Sequence, residues 1–252
     1  YQFSYWDPLQ AAGTQPPSMV FYQTTVRDPG LLVEMDSVWT LPYNLDSRSR
    51  INGLGDDGFA FLNTSNPQNT PGAGYVGAAV LSLNTHGRRQ VDVTWTGGTV
   101  TPNLRVYGLR LQYRLGSEGP FSDVLDANGN PVEYLRHSVA GHQQVIGPMR
   151  LPASLDDQPR VELRWKYYYV SGASGARAQL QVANIRVTST PIQACSLQFT
   201  GVPLSAQTGR VLPPITVEAR LPNGSLAAEY NGLIQIIPTT TPNALSGTLV
   251  KP

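Results

Sequence analysis

Val161-Glu162-Leu163-Arg164-Trp165-Lys166-Tyr167-Tyr168-Tyr169 sets apolar residues at its odd positions and mostly charged or polar ones at its even positions. A period of two belongs to a β-strand, whose successive side chains point to opposite faces. The stretch therefore predicts a strand with a dry face of Val161, Leu163, Trp165 and Tyr167 and a wet face of Glu162, Arg164, Lys166 and Tyr168. Leu109-Arg110-Leu111-Gln112-Tyr113-Arg114-Leu115 alternates in the same way and puts Arg110, Gln112 and Arg114 on a second wet face. Val91-Asp92-Val93-Thr94-Trp95-Thr96 is a third such run. Shorter candidates follow at residues 58–63, 78–83, 180–187, 197–200 and 215–221. In the 180–187 run the apolar phase slips by one near Ala183-Asn184, as a β-bulge makes it do.

Turn signals separate these runs: Thr96-Gly97-Gly98-Thr99, Asp126-Ala127-Asn128-Gly129-Asn130-Pro131, Ser171-Gly172-Ala173-Ser174-Gly175 and Pro222-Asn223-Gly224. Asn-Gly and Gly-Gly supply the positive φ angles that tight hairpins need. No segment keeps an i, i+3, i+4, i+7 apolar pattern over three turns, and the 21 prolines are spread too evenly for long helices. The expected fold is all-β: a jelly-roll-like antiparallel β-sandwich over residues 1–190, then a small, incomplete immunoglobulin-like β-sandwich over 191–252, with the boundary at Thr190-Pro191.

Composition narrows the function classes. The 252 residues carry 18 Lys+Arg against 17 Asp+Glu, so there is no basic field to drive sequence-independent nucleic-acid binding, and no nucleic-acid partner is expected. No stretch approaches the length of a membrane span, and a chain that starts at Tyr1 reads as a trimmed product. The single Cys195 has no partner for an internal disulfide and is expected to be a small buried hydrophobe.

Several separated strings carry a resemblance. Ser47-Arg48-Ser49-Arg50-Ile51-Asn52-Gly53-Leu54-Gly55-Asp56-Asp57-Gly58-Phe59, Trp95-Thr96-Gly97-Gly98-Thr99-Val100, Arg110-Leu111-Gln112-Tyr113-Arg114, residues 126–134 and residues 163–177 together resemble a jelly-roll module of large secreted and surface proteins of environmental bacteria. Leu197-Gln198-Phe199-Thr200-Gly201-Val202-Pro203, Leu212-Pro213-Pro214-Ile215-Thr216-Val217, Leu221-Pro222-Asn223-Gly224 and Leu245-Ser246-Gly247-Thr248-Leu249 are similar to the opening half of a bacterial immunoglobulin-like repeat. The resemblance implies an extracellular or cell-surface location and no established chemistry. A complete immunoglobulin-like domain needs about 100 residues and seven strands, and four or five strands fit here. A sandwich lacking its last strands exposes backbone edges that invite pairing with another chain. The expected function is thus a structural subunit of a self-assembling filament or surface layer, a homo-oligomer or head-to-tail polymer held by strand complementation. Tyr1, Phe3 and Tyr5 are the candidate donor strand, with an ordinary strand of the first domain as the competing reading, and Ile215 and Val217 lie on the receiving side.

The alternative is a carbohydrate-binding or adhesion module of a larger secreted protein or enzyme. Its candidate glycan face is Arg110, Gln112, Arg114, Glu162, Arg164, Lys166 and Tyr168, because aromatic rings stack on sugar C–H faces while planar groups meet hydroxyls. The competing reading of those residues is a solvated sheet face with cross-strand charge pairs. Glu133 and Glu162 are candidate carboxylates for glycoside hydrolysis only because they lie on or near predicted strands, no other catalytic motif accompanies them, and no enzymatic activity is expected. His86, His137 and His142 have no metal-ligand spacing and read as surface loop residues. Acidic pairs stand at Asp56-Asp57, Asp156-Asp157 and Glu34 with Asp36. The 126–130 loop begins like a calcium loop and lacks its closing Glu, so no cofactor is expected and a structural calcium has no supporting ligand set. Lys166 and Lys251 are the two lysines beside 16 arginines, and an internal Lys–Asn crosslink at Lys166, visible as the loss of one ammonia, is considered and not expected.

Overall fold

The alternating stretch becomes an eleven-residue strand inside an antiparallel sheet in the computed structural model, which describes residues 1–11, 13–35, 37–39, 49–64, 74–192, 194–205, 207, 209–228, 230 and 234. Ser47, Arg48, Asp36, Lys251 and the Leu245 to Leu249 string lie outside the described residues. The chain divides into two units, Tyr1–Ile192 and Gln193–Pro252.

In chain order the first unit contains β1 (Gln2–Phe3), β2 (Met19–Thr24), β3 (Ser37–Val38), β4 (Arg50–Gly53), β5 (Phe59–Leu62), β6 (Tyr75–Leu83) and β7 (Arg88–Thr101). It continues with β8 (Val106–Leu115), β9 (Ser122–Asp123), β10 (Glu133–Leu135), β11 (His142–Arg150), β12 (Val161–Ser171) and β13 (Gln179–Pro191). The seven-stranded sheet runs β10-β8-β12-β6-β2-β3 with β9 beside β8, and the six-stranded sheet runs β11-β7-β13-β5-β4 with β1 beside β13. Every pairing between these strands is antiparallel. Among the described residues there is no α-helix, only a 3-10 turn at Ala153–Leu155, and no helix is long and apolar enough to cross a membrane.

The dry faces of the two sheets meet, as the period-two pattern requires. Val161, Leu163, Trp165 and Tyr167 of β12 are all buried in one apolar cluster with Phe59, Phe61, Val93, Trp95, Leu180 and Val182 from the other sheet. Rings lock the sheets together: Trp95 meets Trp165 edge-on at 6.2 Å, and Phe61 stacks on Tyr167 at 5.5 Å. Each fully buried large apolar side chain contributes roughly 1.5–3 kcal/mol of transfer free energy, which makes this double layer the source of the unit's stability. Tyr167 tolerates burial because its hydroxyl donates to the Ala178 carbonyl at 2.5 Å.

Two sequence details resolve differently. The phase slip at Ala183-Asn184 is a bulge: the register with β7 shifts between Ala183 and Arg186, and Asn184 sits at φ 50°. The expected turn at Thr96-Gly97-Gly98-Thr99 is instead the middle of the long strand β7. These glycines leave room for neighbours. A Cβ on Gly97 would stand 2.6 Å from the Tyr134 side chain, and one on Gly98 would stand 2.8 Å from Gln181.

In the second unit β14 (Ser196–Thr200) pairs antiparallel with β15 (Thr216–Arg220), Phe199 opposite Val217 and Leu197 opposite Ala219. The far side of β15 is taken by its own chain, because Ala227 N donates to Ala219 O at 2.8 Å after the turn at Asn223-Gly224. Four or five strands were expected in this unit, and its described residues hold this one two-stranded sheet. Cys195 is exposed just before β14, which corrects the expectation of a buried thiol.

Candidate functional site

Strand register brings the two predicted wet faces together. On β12 and β8, Glu162 stands opposite Arg114, Arg164 opposite Gln112 and Lys166 opposite Arg110, while Tyr168 faces Gly108. All seven candidate residues share the outer face of the seven-stranded sheet. The face is not wet, however. Glu162, Arg164, Lys166, Tyr168 and Gln112 are buried, so the wet face expected from sequence is corrected to a covered ionic network.

Two segments cover it. One is the strap between β2 and β3, and the other carries Phe121 into β9. Asp123 on β9 accepts from Arg110 Nη1 at 2.7 Å and from Gln112 Nε2 at 2.8 Å. Arg110 Nε donates to Glu133 at 2.8 Å, and Tyr168 donates its hydroxyl to the same carboxylate at 2.5 Å. Gln112 turns its carbonyl to Arg164 Nε at 2.9 Å. Arg164 and Arg114 then lie over the Phe121 ring at 3.9 and 4.4 Å from its centroid. Glu162 is closed off by Arg114 at 2.7 Å and by Arg160 at 2.7 Å.

The strap supplies the remaining partners. Glu34 accepts from Arg164 Nη1 at 2.6 Å and Nη2 at 3.4 Å, and the Val33 carbonyl accepts from the ammonium of Lys166. Met35 lies on Gly77 of β6, where a Cβ would come within 2.0 Å of its sulfur. The other end of the strap is pinned by Asp28, which binds Arg105 at 2.5 Å, Tyr107 at 2.6 Å and both Nε and Nη2 of Arg177. Tyr169 N adds a bond to Pro29 O at 2.8 Å.

Charge states follow from these contacts. Burial, reinforced by the neighbouring Arg164 charge, pulls Lys166 down to about 8, while Glu34 and Asp123 oppose that fall from farther away. The Arg164 hydrogen bond holds Glu34 below its usual range. Burial and the bond to Glu133 push the Tyr168 phenol up to about 12. Asp28 would be raised by burial, but the hydrogen bonds from Arg177 and Tyr107 and the two guanidinium charges bring it below its ordinary value. Both carboxylates considered for glycoside hydrolysis are held by arginine, Glu133 by Arg110 and Glu162 by Arg114 and Arg160.

Other sequence candidates fall elsewhere. Tyr1 and Phe3, candidates for donation to a neighbour, belong to the chain's own sandwich, as the ordinary-strand reading has it: Phe3 is buried opposite Ile185 on β13, and Tyr1 exchanges backbone bonds with Val187. Tyr5 remains exposed. Ile215 precedes β15, and Val217 lies within it. His137 and His142 stack at 3.8 Å, with Tyr134 against His142 Nδ1 at 3.0 Å, and His86 pairs with Asp157 at 3.0 Å. Asp57 accepts from Gln143 at 2.8 Å. Asp126 spends its Oδ1 on the backbone N–H groups of Asn128 and Asn130, both at 2.8 Å, as a plain turn does. Among the described residues no group of three or more His, Cys, Asp or Glu is placed to hold a metal ion. The Lys166 ammonium meets a backbone carbonyl rather than an asparagine amide, so the crosslink loses its partner. Sequence reading missed Asp28, Arg105, Arg177 and Val33, whose partners are more than 70 residues away along the chain. Only the Glu34 acidic pair hinted at the strap.

The architecture defines an antiparallel β-sandwich module. No family model matches the chain, and no curated protein matches it. Among solved structures, it is similar to Xylanase10C (mutant E385A) from Cellvibrio japonicus in complex with xylopentaose, at 12% identity and a TM-score of 0.32, over 61% of this chain and 27% of that one. The chain thus spans about a quarter of that protein's length, and a superposition of this quality defines neither fold nor chemistry.

Proposed function

We propose that the chain is a non-catalytic structural module of an extracellular or cell-surface protein, and that its second unit joins a second copy by strand addition along β14. One observation carries the reading: all five residues of β14 are exposed, and among the described residues no strand pairs with its outer edge. Leu197 and Phe199 are 42% and 47% exposed on one face of that strand. A two-stranded sheet is marginal in water, and an unpaired edge with apolar side chains gains both hydrogen bonds and burial from a third strand. With Tyr1 and Phe3 used internally, a head-to-tail filament lacks its candidate donor. Pairing of β14 with β14 is self-complementary and closes as a dimer, and a filament or surface layer needs a second contact.

With the strap seated, Tyr168 lies beneath its neighbours and offers no open aromatic platform. The preponderance of arginine over lysine suits planar, durable ion pairs of the kind that fill the covered face. Light scattering across a concentration series tests the proposal. Leu197, opposite Ala219, turns its backbone N–H to the free edge, and association that disappears in Leu197→Pro, with the near-UV spectrum of the sandwich unchanged, is the expected result. A wild-type chain that stays monomeric at the highest concentration ends the idea.

A further inference from the structure

The strap does more than cover the sheet. Arg164 and Lys166 lie two residues apart on the outer face of β12, and Arg164 is positioned without help from the strap. Gln112 accepts from its Nε, Asp123 holds Gln112, and Phe121 lies against the guanidinium. What the strap contributes is an acceptor for each cation, the Glu34 carboxylate and the Val33 carbonyl. The other carboxylates of the face are committed: Glu162 to Arg114 and Arg160, and Glu133 and Asp123 to Arg110. Two buried cations therefore share one negative partner, and that partner is reached from outside. The Glu34 side chain is 65% exposed, whereas that of Arg164 is 4% exposed.

The strap also has a place to bend. Asp28 fixes its first end, but the following turn is lightly held: Leu32 is 92% exposed, and nothing stands within 4 Å of a Cβ placed on Gly30. Lifting residues 30–35 would uncover a rigid pair of cations that lack a counter-ion. A bidentate guanidinium beside an ammonium is a carboxylate receptor. Its flanks carry the Gln112 amide, the Tyr168 phenol and the Glu133 carboxylate, a mixture of donors and acceptors that suits ring hydroxyls better than the side chains of a peptide.

We propose that Arg164 and Lys166 form a binding site for the carboxylate of a hexuronate sugar, and that Glu34 occupies this site as a built-in plug which the ligand displaces. The site is independent of the β14 edge. Calorimetric titration with trigalacturonate tests it, with a neutral galactose trimer and triglutamate as controls. Glu34→Gln keeps the shape of the plug and removes its charge, so it should bind trigalacturonate at least tenfold more tightly than the wild type, and Arg164→Gln added to it should abolish the gain. Saturating trigalacturonate should also speed amide hydrogen exchange in residues 30–35 of the wild-type protein, a readout that stands even if a variant fails to fold. The proposal is overturned by a folded Glu34→Gln protein that binds no better than the wild type. Equal binding of the neutral trimer, preference for triglutamate, or unchanged exchange in the strap also overturns it.

Discussion

Lys166 shows how one side chain carries a pH-dependent cost. Its ammonium is fully buried, and the pKa falls from 10.5 to about 8 because burial and Arg164 both oppose the charge. Between those two values the unfolded chain holds a proton that the fold has released, so stability rises with pH in that window and the cost is complete below it. Lys166→Met should therefore be more stable than the wild type at neutral pH, by about 1–3 kcal/mol, since an apolar side chain of similar length replaces a buried charge. Urea melts at neutral pH and near pH 10 check this, and the margin should shrink as pH rises. A margin that stays constant or grows would show that Lys166 is not the titrating group. Gly58 is a second position where the fold leaves no choice: its φ is +74°, and a Cβ there would come within 2.2 Å of the Val182 carbonyl. Gly58→Ala should cost more than about 1 kcal/mol in the same assay. The alternation made the partition of β12 legible residue by residue, and every odd position from Val161 to Tyr167 is in the core. That Lys166 is dry could not be read, because the residues that bury it are about 130 positions away.

Between β2 and β3 a segment without regular structure does the work of a third layer. Asp28 accepts from two arginines and a tyrosine, and Arg177 and Arg105 are themselves buried. Breaking such a node leaves two guanidinium groups without their counter-ion, so Asp28→Asn should destabilise the unit by about 3–5 kcal/mol. The folded pKa of Asp28 lies below its ordinary value, so its contribution is present above the unfolded carboxylate range and is lost as pH falls through the folded value. Denaturation curves at pH 7 and about pH 3 should find the gap between wild type and Asp28→Asn narrowed at the lower pH. At the edge of the second unit, Leu197→Pro removes one outward backbone donor from β14 and should abolish association by that strand. Most strands, the bulge at Asn184 and the hairpin at Asn223-Gly224 were legible as elements. Gly97-Gly98 was not, since a pair of glycines serves equally as a turn or as the floor beneath Tyr134 and Gln181.

The whole chain is two units of unequal kind. The first encloses a double-layered aromatic and aliphatic core, whereas the buried apolar side chains described in the second are Ala219, Leu221 and Ala227. A chain of residues 1–192 should keep the melting temperature and near-UV spectrum of the sandwich in the full-length protein. A drop of more than a few degrees would mean that the second unit contributes to the first one's stability. If β14 pairs between copies, the concentration dependence of assembly should vanish in the shortened chain while its fold persists.

The sequence by itself determined the class of fold, because a period of two in hydrophobicity is a local property that any strand with one dry side must display. It also named seven side chains of the outer face, since the polar residues alternating along two strands share a face when those strands pair in the register that buries both apolar sets. Only the tertiary structure decided what that face is. Whether charged side chains meet water or a strap depends on contacts between positions far apart in the chain, and no local pattern encodes those contacts. The same reason removed Tyr1 and Phe3 from exchange: an aromatic strand fits its own sandwich or a neighbour's equally well in sequence, and Ile185 and Phe59 settle the matter by lying where Phe3 can bury.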